Sequence, residues 1–178
     1  MSRLSNKRIK AFFKAGDLAA TTTEKGTALE DLTCYIFEKV SGITVTARNE
    51  LNIFDTEEID VAFWNDKLHD GLHFLPHIIL VECKNWSNAV GSSEVSWFDK
   101  KLENHGQNFG ILIAANGITG NSVDKNRAHQ IIRDALKQKR EIIVITRQEI
   151  ERLTSTNQIV HMIKEKKCLL AVSGSSLK

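Results

Sequence analysis

The chain has 178 residues, of which 42% are hydrophobic and 26% charged, with a formal net charge of +2. That balance excludes a disordered or collagen-like chain, and no apolar run approaches the roughly 20 residues that a membrane-crossing helix requires. The opening MSRLSNKRIK has no apolar stretch of the kind a secretory leader carries, so the expected location is the cytoplasm. A chain of this length is expected to form one domain, residues 1–178. Its core should lie at about residues 24–153, with an N-terminal helical lead-in and a basic C-terminal helix packed on it. The small positive charge permits a polyanionic partner without demanding one, and the cations gather at residues 137–140 and 164–167. Cys34, Cys83 and Cys168 are widely spaced with no CxxC pair, which points to reduced, structural thiols.

In chain order, residues 27–40 place Ala28, Leu32, Tyr35, Ile36 and Lys39 at helical spacing, and Ser41-Gly42 stops that helix. Residues 43–48 and 58–64 alternate with β-branched side chains and predict two strands, with Asn65-Asp66 as a turn. HIILVEC at 77–83 is almost continuously apolar, as a strand buried on both faces should be. Residues 98–102 predict part of a short helix, and FGILIAAN predicts another central strand ended by Asn116-Gly117. Between 123 and 140 an apolar stripe of Ala128, Ile131, Ile132, Ala135 and Leu136 predicts an amphipathic helix. EIIVIT at 141–146 predicts the last strand, and QEIERL begins a helix leading into the basic C-terminal segment. Helices interleaved with apolar strands imply an α/β sandwich whose first three strands form an antiparallel meander.

Side chains two apart on a strand share a face, so Glu82 and Lys84 point the same way at the end of one of the most apolar strands. Burying such charges costs several kcal/mol unless they are paired or bind a metal. A hairpin would set Asp60, on the preceding strand, beside Glu82. Two carboxylates, a backbone carbonyl and waters suit Mg²⁺, with Mn²⁺ as a substitute. Such an ion stabilises charge on a phosphoryl oxygen and acidifies a bound water, and Lys84 would orient that water or stabilise the transition state.

Glu30 in the first helix, EEID at 57–60 and VECKNW at 81–86 resemble the PD-(D/E)XK nuclease superfamily and, within it, the Mrr-like restriction endonucleases. The resemblance spans most of the chain and implies an α-β-β-β-α-β core with a central mixed sheet flanked by helices. It also implies that Asp60, Glu82 and the carbonyl of Cys83 bind the divalent metal, that Lys84 assists the water, and that Glu30 supports the site. The proline of the motif is absent, since Ile59 precedes Asp60, while the E-x-K core is intact. The implied activity is Mg²⁺-dependent endonucleolytic hydrolysis of DNA, in restriction, defence or repair. A homodimer and a protein partner that supplies targeting are further expectations.

Several residues admit a plainer reading. The 22 positions from Asp60 to Glu82 exceed a tight hairpin, and HDGLHFLPH reads as a polar loop, a variable insertion. Asp55 and Glu57 are expected to be solvated, with Glu58 an alternative ligand or support. His69, His73 and His77 are spaced by four, as zinc ligands on a helix would be, but Gly71 and Pro76 argue against a helix there. Trp86 and Trp97 are read as packing residues before nucleotide-stacking ones. Asn85, Lys100 and Lys101, with Ser93, are candidate contacts to the DNA backbone. The stretch from Gly117 to Gly120 lacks a P-loop Lys-Ser/Thr and reads as a turn, which leaves a nucleotide-binding domain without support. A catalytically silent nucleic-acid-binding or scaffold subunit is the alternative from another class.

Overall fold

The computed structural model describes residues 2–52, 57–85, 87–118 and 122–177, with only the backbone given at 122–126. Its elements are α1 (Asn6–Leu18), α2 (Thr22–Phe37), β1 (Ile43–Leu51), β2 (Glu58–Asn65), β3 (Ile78–Lys84), α3 (Ser92–Asn104), β4 (Phe109–Ala114), α4 (Ser122–Lys137), β5 (Glu141–Thr146), α5 (Arg147–Glu151) and α6 (Thr156–Ser173). The five strands form one mixed sheet in sequential order. β1, β2 and β3 are the expected antiparallel meander, and β3, β4 and β5 run parallel. No helix among the described residues is long and apolar enough to cross a membrane.

α2 begins five residues before the start read from apolar spacing. A capping box explains this: Thr21 Oγ1 accepts from the Glu24 N–H at 3.2 Å, and Glu24 Oε2 accepts from the Thr21 N–H at 3.0 Å. The helix extends as far toward its N-terminus as its amides are satisfied, and that extra turn lines a surface cavity.

Strand alternation decides which helix lies on which face of the sheet. Phe63 and Cys83 project to one side, where Phe37 stacks on Phe63 at 5.2 Å and Thr33 Oγ1 lies 3.5 Å from Cys83 Sγ, so α2 covers that face. Leu80 and Glu82 project to the other side. Gly110, the β4 partner of Leu80, faces Phe98 and Leu102 there, so α3 covers that face. α3 is longer than expected, and its apolar stripe of Val95, Phe98 and Leu102 is buried along its length.

Gly110 sets how closely α3 approaches. A Cβ there would come within 2.7 Å of Phe98 and 2.9 Å of Leu102. Gly110→Ala is therefore expected to destabilise the protein by about 1–3 kcal/mol through overpacking. The loss should appear in urea unfolding as a lower midpoint with an unchanged m-value.

The loop at residues 69–77 is not wholly polar as expected. Leu72 and Leu75 are fully buried, and Asn65 is buried at the end of β2. Its Nδ2 donates to the carbonyls of Leu72 and Pro76 at 2.8 and 3.1 Å, which ties the loop to the core. His77 Nδ1 lies 2.8 Å from the Asn65 carbonyl, and its ring stacks on Trp64; the rings of His69 and His73 stack on each other.

The helix read from QEIERL is two helices. Where it breaks, the N-terminal segment pairs with the chain: Leu4 N–H donates to the Thr154 carbonyl and Thr156 N–H to the Ser2 carbonyl, bridging Arg3 to Ser155. Those competing bonds replace the helical ladder for one turn.

The basic clusters are largely consumed internally. Lys166 is buried, with Glu149 at 2.7 Å and the Ser176 carbonyl at 3.2 Å; Lys167 pairs with Glu141, and Arg140 with Asp99 at 2.7 Å. The three cysteines are free thiols. Burial pushes the Cys34 thiol up to about 11 and raises that of Cys83 as well, which suits unreactive packing groups. Cys168 departs from the structural reading, because α6 exposes it.

Candidate active site at the fork of two strands

The ladder between β2 and β3 ends at the pair Val61 and Val81. Continuing that register by one residue sets Asp60 opposite Glu82, where the strands part. The ladder ends there because a side chain takes over from the backbone: Asp60 Oδ2 accepts from the Cys83 N–H at 2.7 Å. On the β4 side of the same strand, the Lys84 carbonyl accepts from the Ala115 N–H at 3.0 Å. Successive residues of a strand present their amide groups to opposite edges, so the Cys83 carbonyl faces β2 with the N–H that Asp60 holds. The Asp60 carboxylate and the Cys83 carbonyl thus lie at the fork, with the Glu82 carboxylate close enough to help raise the Asp60 pKa.

Asp60, Cys83 and Lys84 line a cavity of about 550 Å³ together with Glu30, Glu58 and Asn85. The first turn of α2, at Thr22 and Thr23, also lines it. Glu82 lies beneath it, only 3% exposed, and each of its oxygens meets a lysine. Oε1 is 2.7 Å from Lys84 Nζ, and Oε2 is 2.7 Å from Lys101 Nζ. Lys84 is buried enough to disfavour its charge, yet the Glu82 carboxylate outweighs this and holds its pKa above the ordinary lysine value. Protonated, Lys84 is a cationic donor to Glu82.

Asp60 is pushed up to about 6, first by burial and then by the Glu82 charge, against which the Cys83 N–H, Lys84 and Lys101 pull only in part. An acid with a raised folded pKa binds its proton more tightly in the native state. It therefore opposes folding above about pH 6, and that penalty fades toward pH 4. In EDTA the Asp60 contribution should shift stability by on the order of 2–3 kcal/mol across pH 4–6, falling as pH rises. Subtracting urea unfolding curves of Asp60→Asn from those of the parent chain at each pH isolates it. A difference that stays flat from pH 4 to 7 contradicts the assignment.

Glu30 lines the same cavity but is bound elsewhere. Its Oε2 accepts from Arg48 Nε and Nη2, both at 3.2 Å, and from Asn49 Nδ2 at 3.0 Å. Asn49 sits at φ +51°, a left-handed conformation that asparagine tolerates.

Of the residues expected to contact DNA, Lys101 is corrected. It is 4% exposed and bound to Glu82 and to the Glu58 carbonyl, the latter at 2.6 Å. Positions 95, 98, 101 and 102 form one helical stripe, so the spacing that turned Phe98 and Leu102 inward also turned Lys101 inward. Lys100 is on the outer face, paired with Glu103 at 2.6 Å. Asn85 lines the cavity, and its Nδ2 donates to the Lys25 carbonyl at 2.8 Å. Ser93 is bonded to Glu94 at 2.8 Å.

Glu57 is not solvated as expected: it is buried at 7% exposure, with Asn104 Nδ2 at 2.6 Å and His105 Nε2 at 3.5 Å. Trp97, read as a packing residue, is 53% exposed, because α3 turns it away from Val95 and Phe98. Asp55, Trp86 and Gly120 lie outside the described residues. Lys25, Asn49, Ser87 and Asn88, none of them singled out from the sequence, also line the cavity. They come from three separate segments, and no local pattern joins them.

Among the described residues no three or more His, Cys, Asp or Glu side chains converge as a metal cage. The fork instead offers two carboxylates and a carbonyl, all hard oxygen donors, and the repulsion that raises Asp60 is the kind a divalent cation relieves. That donor set fits Mg²⁺ or Mn²⁺ completed by water or substrate oxygens.

A mixed five-stranded sheet between helical layers, with an acid pair and a lysine where two strands part, defines an α/β domain of the restriction-endonuclease type. The restriction endonuclease family model, of the Mrr catalytic type, matches residues 22–154, and the chain belongs to that family. No curated protein matches it.

Proposed function

We propose that the chain is a Mg²⁺-dependent endodeoxyribonuclease, able to use Mn²⁺, that hydrolyses phosphodiester bonds at the fork of β2 and β3. The observation that supports this reading most directly is the meeting of Asp60 and Glu82 beside Lys84, at the edge of an open cavity, in a chain of the restriction endonuclease family. Asp60, Glu82 and the Cys83 carbonyl would hold the cation, which when bound supplies Lewis acidity to a phosphoryl oxygen and lowers the pKa of a water. Lys84, kept protonated by Glu82, would direct its ammonium to a non-bridging oxygen or orient the attacking water. Glu30, fixed by Arg48 and Asn49, would hold the far wall, and Lys25 and Asn85 lie where neighbouring phosphates would pass. DNA is the substrate in this reading, cut in the cytoplasm in restriction, defence or repair. A homodimer would supply two active sites for double-strand cleavage, and a partner protein would supply targeting.

One observation favours the catalytically silent alternative: both Glu82 oxygens are occupied by lysines. Incubation with supercoiled plasmid, linear duplex and single-stranded DNA, in Mg²⁺, Mn²⁺ or EDTA, separates the two. Cleavage that needs metal and disappears in Asp60→Ala and Lys84→Ala supports the nuclease. Binding without cleavage under every condition supports the silent subunit.

A further inference from the structure

Lys101 carries a charge into the core from α3, where Val95, Phe98 and Leu102 share its face. An aliphatic side chain would fill that space without the several kcal/mol of desolvation that a buried ammonium costs. Its contacts are specific: Glu82 Oε2 at 2.7 Å and the Glu58 carbonyl at 2.6 Å. It does not line the cavity, so any effect on the site passes through the two groups it holds, the Glu82 carboxylate and the Glu58 carbonyl.

The charges around the fork also balance. Asp60 and Glu82 are matched by Lys84 and Lys101, so the four groups sum to zero when ionised without a bound cation. Loading a dication adds two positive charges, and Lys84 already serves Glu82 from the cavity side. On the buried side, Lys101 holds the second oxygen of the carboxylate that a cation at the fork would share.

We propose that Lys101 is a positioning residue and the resident counter-ion of Glu82. It holds Oε2 when no cation is present and competes with a divalent cation for the negative charge of that carboxylate, and so sets the metal affinity of the protein. This rests on the metal-dependent reading above.

The test is calorimetric titration of Mg²⁺ into the parent chain and Lys101→Met, with thermal unfolding of both in EDTA and in saturating Mg²⁺. Lys101→Met should melt roughly 4–6 °C below the parent in EDTA. It should bind Mg²⁺ about 10-fold more tightly once the competing charge is gone, and show a larger Mg²⁺-induced rise in Tm. If Lys101→Met does not fold, Lys101→Gln retains an N–H donor for the Glu58 carbonyl while removing the charge, and the same two readouts apply. Equal Mg²⁺-induced shifts in parent and variant would show an ordinary structural ion pair and overturn the proposal, as would weaker Mg²⁺ binding by the variant. A parent chain that gives neither heat nor a Tm change with Mg²⁺ overturns the metal-dependent reading together with this one.

Discussion

Asp60→Asn should lose DNA cleavage by roughly 10³-fold or more while the purified protein melts no lower than the parent at neutral pH. The loss follows from the proposed role, because an amide oxygen is a far weaker magnesium ligand than a carboxylate, and several kcal/mol of transition-state charge stabilisation depend on the cation. The retained stability follows from the surroundings of Asp60. Its charge is opposed by burial and by Glu82, which is why its pKa stands near 6, and removing the charge removes that opposition. The one favourable backbone contact survives, since an asparagine Oδ1 can still accept from the Cys83 N–H that Asp60 holds at 2.7 Å. A rising Tm beside a failing plasmid-nicking assay is the combination expected of a residue kept for chemistry at the expense of stability. A variant that cleaves at the parental rate would remove Asp60 from the mechanism, whatever happens to Tm.

What the sequence made legible follows the reach of each physical argument. Strand alternation and apolar continuity are local, so the sheet, its antiparallel meander and the shared face of Glu82 and Lys84 could all be read from the residues. The pairing of Asp60 with Glu82 needed only that β2 and β3 be neighbours. Failures arose where a distant segment supplies the partner. Glu57 reads as one more surface acid until α3 brings Asn104 and His105 over it. The helix after β5 reads as continuous until the N-terminal segment pairs with it at Ser155. The histidine-rich loop reads as polar, and only the burial of Leu72 and Leu75 beneath Asn65 shows that it is anchored. Lys101 is a different failure. Its place in the α3 stripe follows from spacing, and a charged residue on a buried face points inward when a carboxylate waits there, a partner that local sequence does not reveal.

Glu82→Gln should be costly in both stability and activity. The substitution keeps the shape of the side chain but leaves Lys101 buried with only the Glu58 carbonyl as a strong acceptor, and Lys84 without its carboxylate. Breaking a buried ion pair from one side costs about 3–5 kcal/mol, because the surviving charge stays desolvated. For a chain of this size that corresponds to a fall in Tm of roughly 10 °C. Cleavage should disappear as well, so the single variant cannot separate the two roles of Glu82. The double variant Glu82→Gln, Lys101→Met can. Removing the orphaned ammonium along with its partner should restore most of the lost stability, giving a coupling energy of at least about 1 kcal/mol in a double-mutant cycle. Cleavage should stay absent, since nothing in the pair replaces the missing metal ligand. If the two destabilisations simply add, the contact between Glu82 and Lys101 contributes nothing beyond its separate parts. If activity returns with stability, Glu82 acts on the fold of the site and not on the cation. Asp60→Asn supplies the complementary case, a carboxylate whose loss should stop the chemistry without loosening the protein, and both outcomes together would show that the fork divides its charges between holding the structure and holding the metal.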